Sequence, residues 1–155
     1  MDILSHILIT NLAFKELPIE QRGLAIFLGV LPDLISFCPV LNFDFLKKLL
    51  FFKKIPHSYF PKKVFLIYKI THSLVIWLII ELLLYIFGIN WLAIIGLSWG
   101  LHIVLDIFTH NSNNAMSTMV FWPIFDVKLP GIVWSNKWFL LVNYLIIGLF
   151  YYIFN

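Results

Sequence analysis

INWLAIIGLSWGLHIVLDIFTH, residues 89–110, is long and apolar enough to cross a bilayer, yet it places His102 and Asp106 in its second half. At ~1.5 Å rise per helical residue, its length matches the ~30 Å hydrocarbon core. Residues four apart share one face of a helix, so His102 and Asp106 project together, and His110 follows on the same side. An ionisable group inside a span costs at least ~2.5–3.5 kcal/mol on insertion scales and needs a partner. This one stretch therefore fixes both a membrane setting and the expectation of a site.

Working outward, residues 64–87 form a second long apolar helix, joined to the first through Gly88–Asn90, a connection short enough to make the two antiparallel neighbours. Residues 23–41 reach spanning length but contain Pro32, which lacks a backbone donor and is expected to kink or break the helix just before Asp33. A last span covers 137–154, whereas residues 2–14 are too short to cross and are expected to be interfacial or re-entrant. Residues 111–136, with Pro123, Pro130 and Gly131, argue against a regular helix. Residues 42–63 carry Lys47, Lys48, Lys53, Lys54, Lys62 and Lys63 around FDFLKKLLFF (43–52), an amphipathic piece expected to lie on the membrane surface. The fold class is thus an all-α bundle of about four spanning helices with a short N-terminal helix, in a single domain over 1–155.

Composition agrees. The chain is 61% hydrophobic and 12% charged, with 16 Phe, 6 Trp and 6 Tyr, against roughly 45–50% and 25% in soluble domains. Trp122 and Trp134 read as interfacial anchors. The net charge of +3 comes mostly from the Lys-rich loop, where attraction to anionic lipid explains it, so membrane lipid and not nucleic acid is the expected partner. Cys38 is the single cysteine, which excludes an internal disulfide and a Cys-based zinc site. Asp2 in place of a basic leader argues against a cleavable signal peptide. The Lys cluster puts the 42–63 loop on the cytoplasmic side, the 111–136 loop with it, in a multi-pass protein of a prokaryotic plasma membrane.

On that topology Asp33 lies eight residues before 41, His72 eight after 64 and His102 eight before 110, all about 12 Å from the same span ends. Equal depth on three segments is what one shared centre requires. With His6 and Asp106, five ionisable residues are placed in apolar segments. A lone His is more often a hydrogen-bonded core residue, and His102 with Asp106 alone could be an intrahelical hydrogen bond. Two buried carboxylates without a cation or protons are far costlier, which tips the reading of the whole set to a divalent metal. Imidazole with carboxylate suits zinc or another first-row ion, manganese included. His110 either supplements the centre or caps the helix. Glu81, nine residues after His72, falls about 180° round its helix and faces away. Lys69 reads as a snorkelling side chain and His57 as solvated.

His6, LPDL at 31–34, THSL at 71–74, HIVLDIFTH at 102–110 and WP at 122–123 stand in an order and spacing that resemble the YdjM-like family of membrane-bound, predicted metal-dependent hydrolases. That family in turn looks similar to the zinc-dependent phospholipase C and P1 nuclease group. The resemblance implies Asp33, His72, His102 and Asp106 around one metal, with Asp106 also bridging to a second held by His6. The His-x-x-x-Glu ligand pair of the soluble enzymes has no match, so one or two zinc ions are implied and not three. It further implies hydrolysis of a phosphoester, of a lipid or amphiphile, by metal-activated water, with Asp106 and Asp33 as the catalytic carboxylates and Asp33 as general base if it is not a ligand. Two other classes compete: a divalent-metal carrier or sensor, and a scaffold in which metal only ties helices together.

Overall fold

The computed structural model describes residues 1–41, 59–110 and 117–154. The surface helix expected over 43–52, four of the six loop lysines and His57 lie outside the described residues. Six α-helices follow in order: α1 Ile3–Ala13, α2 Ile19–Phe37, α3 Lys62–Thr71, α4 Leu74–Ile86, α5 Asn90–Thr109 and α6 Lys137–Phe154, with a 3-10 turn at Cys38–Val40 after α2. No named strand occurs among the described residues; Met119 and Lys128 form one isolated antiparallel bridge. Helices α2 (continued through the 3-10 turn), α5 and α6 are each long and apolar enough to span a membrane, and α3 with α4 makes a fourth, bent by 51°.

The packing inverts that of a soluble domain. Leu78, Phe87, Trp138 and Tyr152 stand on the outside, while His6, Asp33, His72, His102 and Asp106 are buried. An apolar exterior around a polar interior is stable only where the surroundings are themselves apolar. Helix α2 lies at the centre, packed on α1, α3 and α5. Helix α1 packs beside α2 and α6. Tyr144 Oη donates to Asp2 at 2.7 Å, Asn143 to Ser5 Oγ at 2.8 Å and Lys15 Nζ to the Phe154 carbonyl at 2.6 Å. These contacts dock α1 on the bundle along α6. Gly29 lets α1 approach, since a Cβ there would lie 2.8 Å from Thr10 Oγ1.

Two expectations are corrected. The single helix over 64–87 is broken at His72 and Ser73. Ser73 is an N-cap whose Oγ accepts from the Ile76 N–H at 3.2 Å, and such caps favour extended backbone that ends the preceding helix. The break is filled from outside: the Leu74 N–H donates to the Val120 carbonyl at 3.0 Å, and Ser73 Oγ donates to the Trp122 carbonyl. Pro32, conversely, does not break α2, which continues to Phe37. One turn further on, Ser36 Oγ donates to the Pro32 carbonyl at 2.6 Å.

Residues 117–136 are irregular, as the prolines require, and close over the end of α5. Ile132 N–H donates to the Phe108 carbonyl at 2.9 Å and Trp134 N–H to that of Thr109 at 3.0 Å. Gly131 makes this approach feasible, because a Cβ there would meet the His110 carbonyl at 2.5 Å. Gly131→Ala is therefore expected to destabilise the fold by about 1–3 kcal/mol, as overpacking does. Gly148→Ala, where a Cβ meets nothing within 4 Å, is the matched control; equal melting temperatures for the two variants would contradict the packing described.

Candidate metal centre

Four side chains from three segments meet at one point: Asp33 from α2, His72 from the α3–α4 break, and His102 with Asp106 from α5. Each offers a donor atom, and these atoms all lie within 4.8 Å of one another. His72 Nε2 is 3.4 Å from Asp33 Oδ1 and 3.3 Å from Asp106 Oδ2, while His102 Nε2 is 3.6 Å from Asp106 Oδ2 and 4.0 Å from Asp33 Oδ1. The two Nε2 atoms are 3.0 Å apart.

Backbone carbonyls orient both imidazoles. His102 Nδ1 lies 2.7 Å from the Gly29 carbonyl, and His72 Nδ1 lies 3.1 Å from the Tyr68 carbonyl. A carbonyl only accepts, so each Nδ1 carries a proton, and in a neutral ring Nε2 then turns its lone pair to the centre. The turn at Pro32 contributes here, because proline supplies no N–H one turn back and disturbs the helical ladder next to the Gly29 carbonyl. Two Nε2 atoms 3.0 Å apart, facing two carboxylates, need positive charge among them, a proton shared between the rings or a cation. Asp106 Oδ2 is buried without a well-formed hydrogen bond among the described residues, so its lone pairs are available at the same point. A divalent ion satisfies all four groups at once, and the mixed N/O donor set suits the first-row metals. The residues present fit such an ion.

The remaining candidates surround this group. His6 lies outside the four, with Nε2 3.1 Å from Asp106 Oδ1 and its ring stacked on His102 at 3.9 Å between centroids. The Met1 amino group forms an ion pair with the same Oδ1. Asp106 thus presents one oxygen to His72 and His102 and the other to His6 and the amino group. His110 follows the last residue of α5, and its Nδ1 donates to the Asp106 carbonyl at 3.1 Å, the capping alternative. Glu81 stands away from the centre, against Gly96, where a Cβ would come 2.1 Å from its Oε1. Trp77 beside it donates from Nε1 to the Gly96 carbonyl at 3.0 Å, so these side chains serve the α4–α5 contact.

Sequence reasoning missed three participants. The Met1 amino group reaches Asp106 only through the tertiary placement of α1. Thr71, whose Oγ1 lies 3.0 Å from His72 Nδ1 and 2.9 Å from Ser36 Oγ, joins α2 to the break. Tyr68 stacks on His72 with centroids 3.7 Å apart; its position one turn before His72 was the available signal.

An apolar-faced helical bundle with a buried centre of carboxylates and imidazoles is an integral membrane protein with a candidate metal site. No curated protein and no solved structure is significantly similar to the chain. Residues 1–154 match the YdjM inner membrane protein family, and the chain belongs to that family.

Proposed function

We propose that this protein is a membrane-bound, metal-dependent hydrolase that cleaves a phosphoester of a lipid or amphiphilic substrate, with chemistry like that of zinc-dependent phospholipase C and P1 nuclease. The observation that carries this reading is the pair of carbonyl-anchored imidazoles aimed at two buried carboxylates. When bound, zinc or manganese would supply electrostatic stabilisation of the developing phosphoryl charge and lower the pKa of a water there. His72 and His102 would hold such an ion through their Nε2 atoms, and Asp33 and Asp106 would offset its charge. Asp33 is the least enclosed of the four, at 7% exposure against 0–1% for the others, which supports giving it the role of taking a proton from water on the side from which substrate would enter. Asp106, through its second oxygen and His6, offers a bridge to a second ion.

One observation favours a second reading. Four protein donors complete a tetrahedral shell, the arrangement of structural zinc sites, so the ion would then only tie α2, the break and α5 together. The deciding measurement is release of phosphate or a phospho-head group by purified, metal-loaded protein. No turnover on a broad panel of phospholipids, lipid phosphates and other phosphoesters would leave the structural tie, or a metal carrier, as the function.

The Lys-rich 42–63 loop is proposed to face the cytoplasm of a prokaryotic cell, which puts the centre near the inner leaflet surface. With Cys38 replaced by Ala, Lys48→Cys or Lys62→Cys is expected to resist membrane-impermeant thiol reagents in intact cells. Efficient labelling from outside would reverse the orientation.

A further inference from the structure

Beside the metal-ligating cluster lie three buried hydroxyls, Tyr68 Oη, Ser117 Oγ and Thr118 Oγ1, that make no well-formed hydrogen bond among the described residues, and their residues are only 2–3% exposed. Buried polar groups are ordinarily paired, so several orphans in one region point to something they bind. Tyr68 belongs to α3, with its ring stacked on His72 at 3.7 Å and 6.2 Å from the His110 ring. The Thr118 side chain lies beside the Tyr68 hydroxyl, and Tyr68 is within electrostatic reach of Asp106 and Asp33. Ser117 and Thr118 are held there by the strand of chain that fills the α3–α4 break, through the Val120 and Trp122 carbonyls.

We infer that Tyr68, Ser117 and Thr118 form an oxyanion subsite that receives the phosphoryl oxygens of a ligand at the metal centre; this rests on the hydrolase reading for the ligand's class. Each hydroxyl can donate one hydrogen bond. Donors on neighbouring side chains suit a group with several acceptor oxygens on one atom, as phosphate has, better than a lone ester carbonyl. The subsite carries no positive charge of its own, and two carboxylates stand next to it. An anion is therefore repelled until a divalent ion offsets Asp33 and Asp106, which makes oxyanion binding depend on metal. The same chemistry serves a lipid-borne phosphate and free phosphate.

The test is calorimetric titration of zinc-loaded protein in detergent with inorganic phosphate and, separately, with a short-chain phosphatidate. Parent protein is expected to bind at least one of the two, and to bind neither after zinc is removed. Tyr68→Phe and the double variant Ser117→Ala with Thr118→Val should each weaken binding at least tenfold while keeping the parent's zinc content and helical circular dichroism. Tighter binding of the phosphatidate assigns the subsite to a lipid-borne phosphate, and tighter binding of the inorganic ion to a free one. Unchanged affinity in both variants, zinc-independent binding, binding of neither probe by the parent, or zinc loss matching the loss of phosphate would overturn the inference. Phosphate binding with this pattern in a protein that turns over no phosphoester would uphold the subsite and reject the hydrolase.

Discussion

Asp106→Asn is expected to abolish phosphoester turnover, by at least ~100-fold, while leaving the bundle folded. Loss of even an outer partner of a metal site costs about 10–100-fold in affinity or activity, and Asp106 is more central than that. One oxygen lies 3.3 Å from His72 Nε2 and the other 3.1 Å from His6 Nε2, so the substitution removes a negative donor from both sides of the carboxylate. Asparagine keeps the shape, and the packing of α5 on α2 should persist. Glu81→Gln is the control, because Glu81 is also a carboxylate on an apolar helix but lies against Gly96 and outside the cluster of four; it should stay active. The comparison is of initial rates at saturating zinc or manganese, with helical content checked by circular dichroism. An Asp106→Asn protein as fast as the parent would show that Asp106 does not hold the reactive metal.

The second large effect is on metal and stability together. Protein purified without chelator should carry at least one zinc-like ion per chain by elemental analysis, and His102→Ala should lower that to about a tenth or less. His102 brings the Gly29 carbonyl, the His72 ring and Asp106 into one set of contacts, and its loss leaves a gap where two carboxylates still face each other. A ligand that binds only the folded state at 1,000 times its Kd stabilises by about 4.1 kcal/mol. Chelation is accordingly expected to lower the melting temperature on the order of 10 °C, restored by zinc. His57→Ala should change neither property. Equal metal loss in both variants, or metal-free parent protein of unchanged stability, would reject the centre.

What could be read in the sequence divides along physical lines. Span length follows from apolar run length, so 89–110 and 137–154 correspond to α5 and α6 within a residue or two. Depth follows from counting residues along a helix, which is why Asp33, His72 and His102 could be assigned to one level before any contact was known. Pro32 removes one ladder bond but does not end α2, which runs on to Phe37, because the packing of α2 on α1, α3 and α5 outweighs the local cost. The break at His72–Ser73 was under-read. Thr-His-Ser in the middle of an apolar run is a capping signal, but a break within a membrane is stable only if its backbone groups find partners, and those come from Val120 and Trp122 nearly fifty residues on. Met1 and the Tyr68 hydroxyl were invisible because their importance lies in neighbours that only the tertiary fold provides.

The placement of α1 ties two distant parts of the chain to one group. At 11 residues it is about 16 Å long, half the hydrocarbon thickness, so it depends on its neighbours for its position. The polar side chains that hold it, Asn143, Tyr144 and Tyr151, belong to α6, whereas His6 on the same helix reaches Asp106 of α5. The α1–α6 bonds therefore act as a latch on one flank of the buried cluster, and loosening them would free His6 from Asp106 without touching any of the four clustered residues.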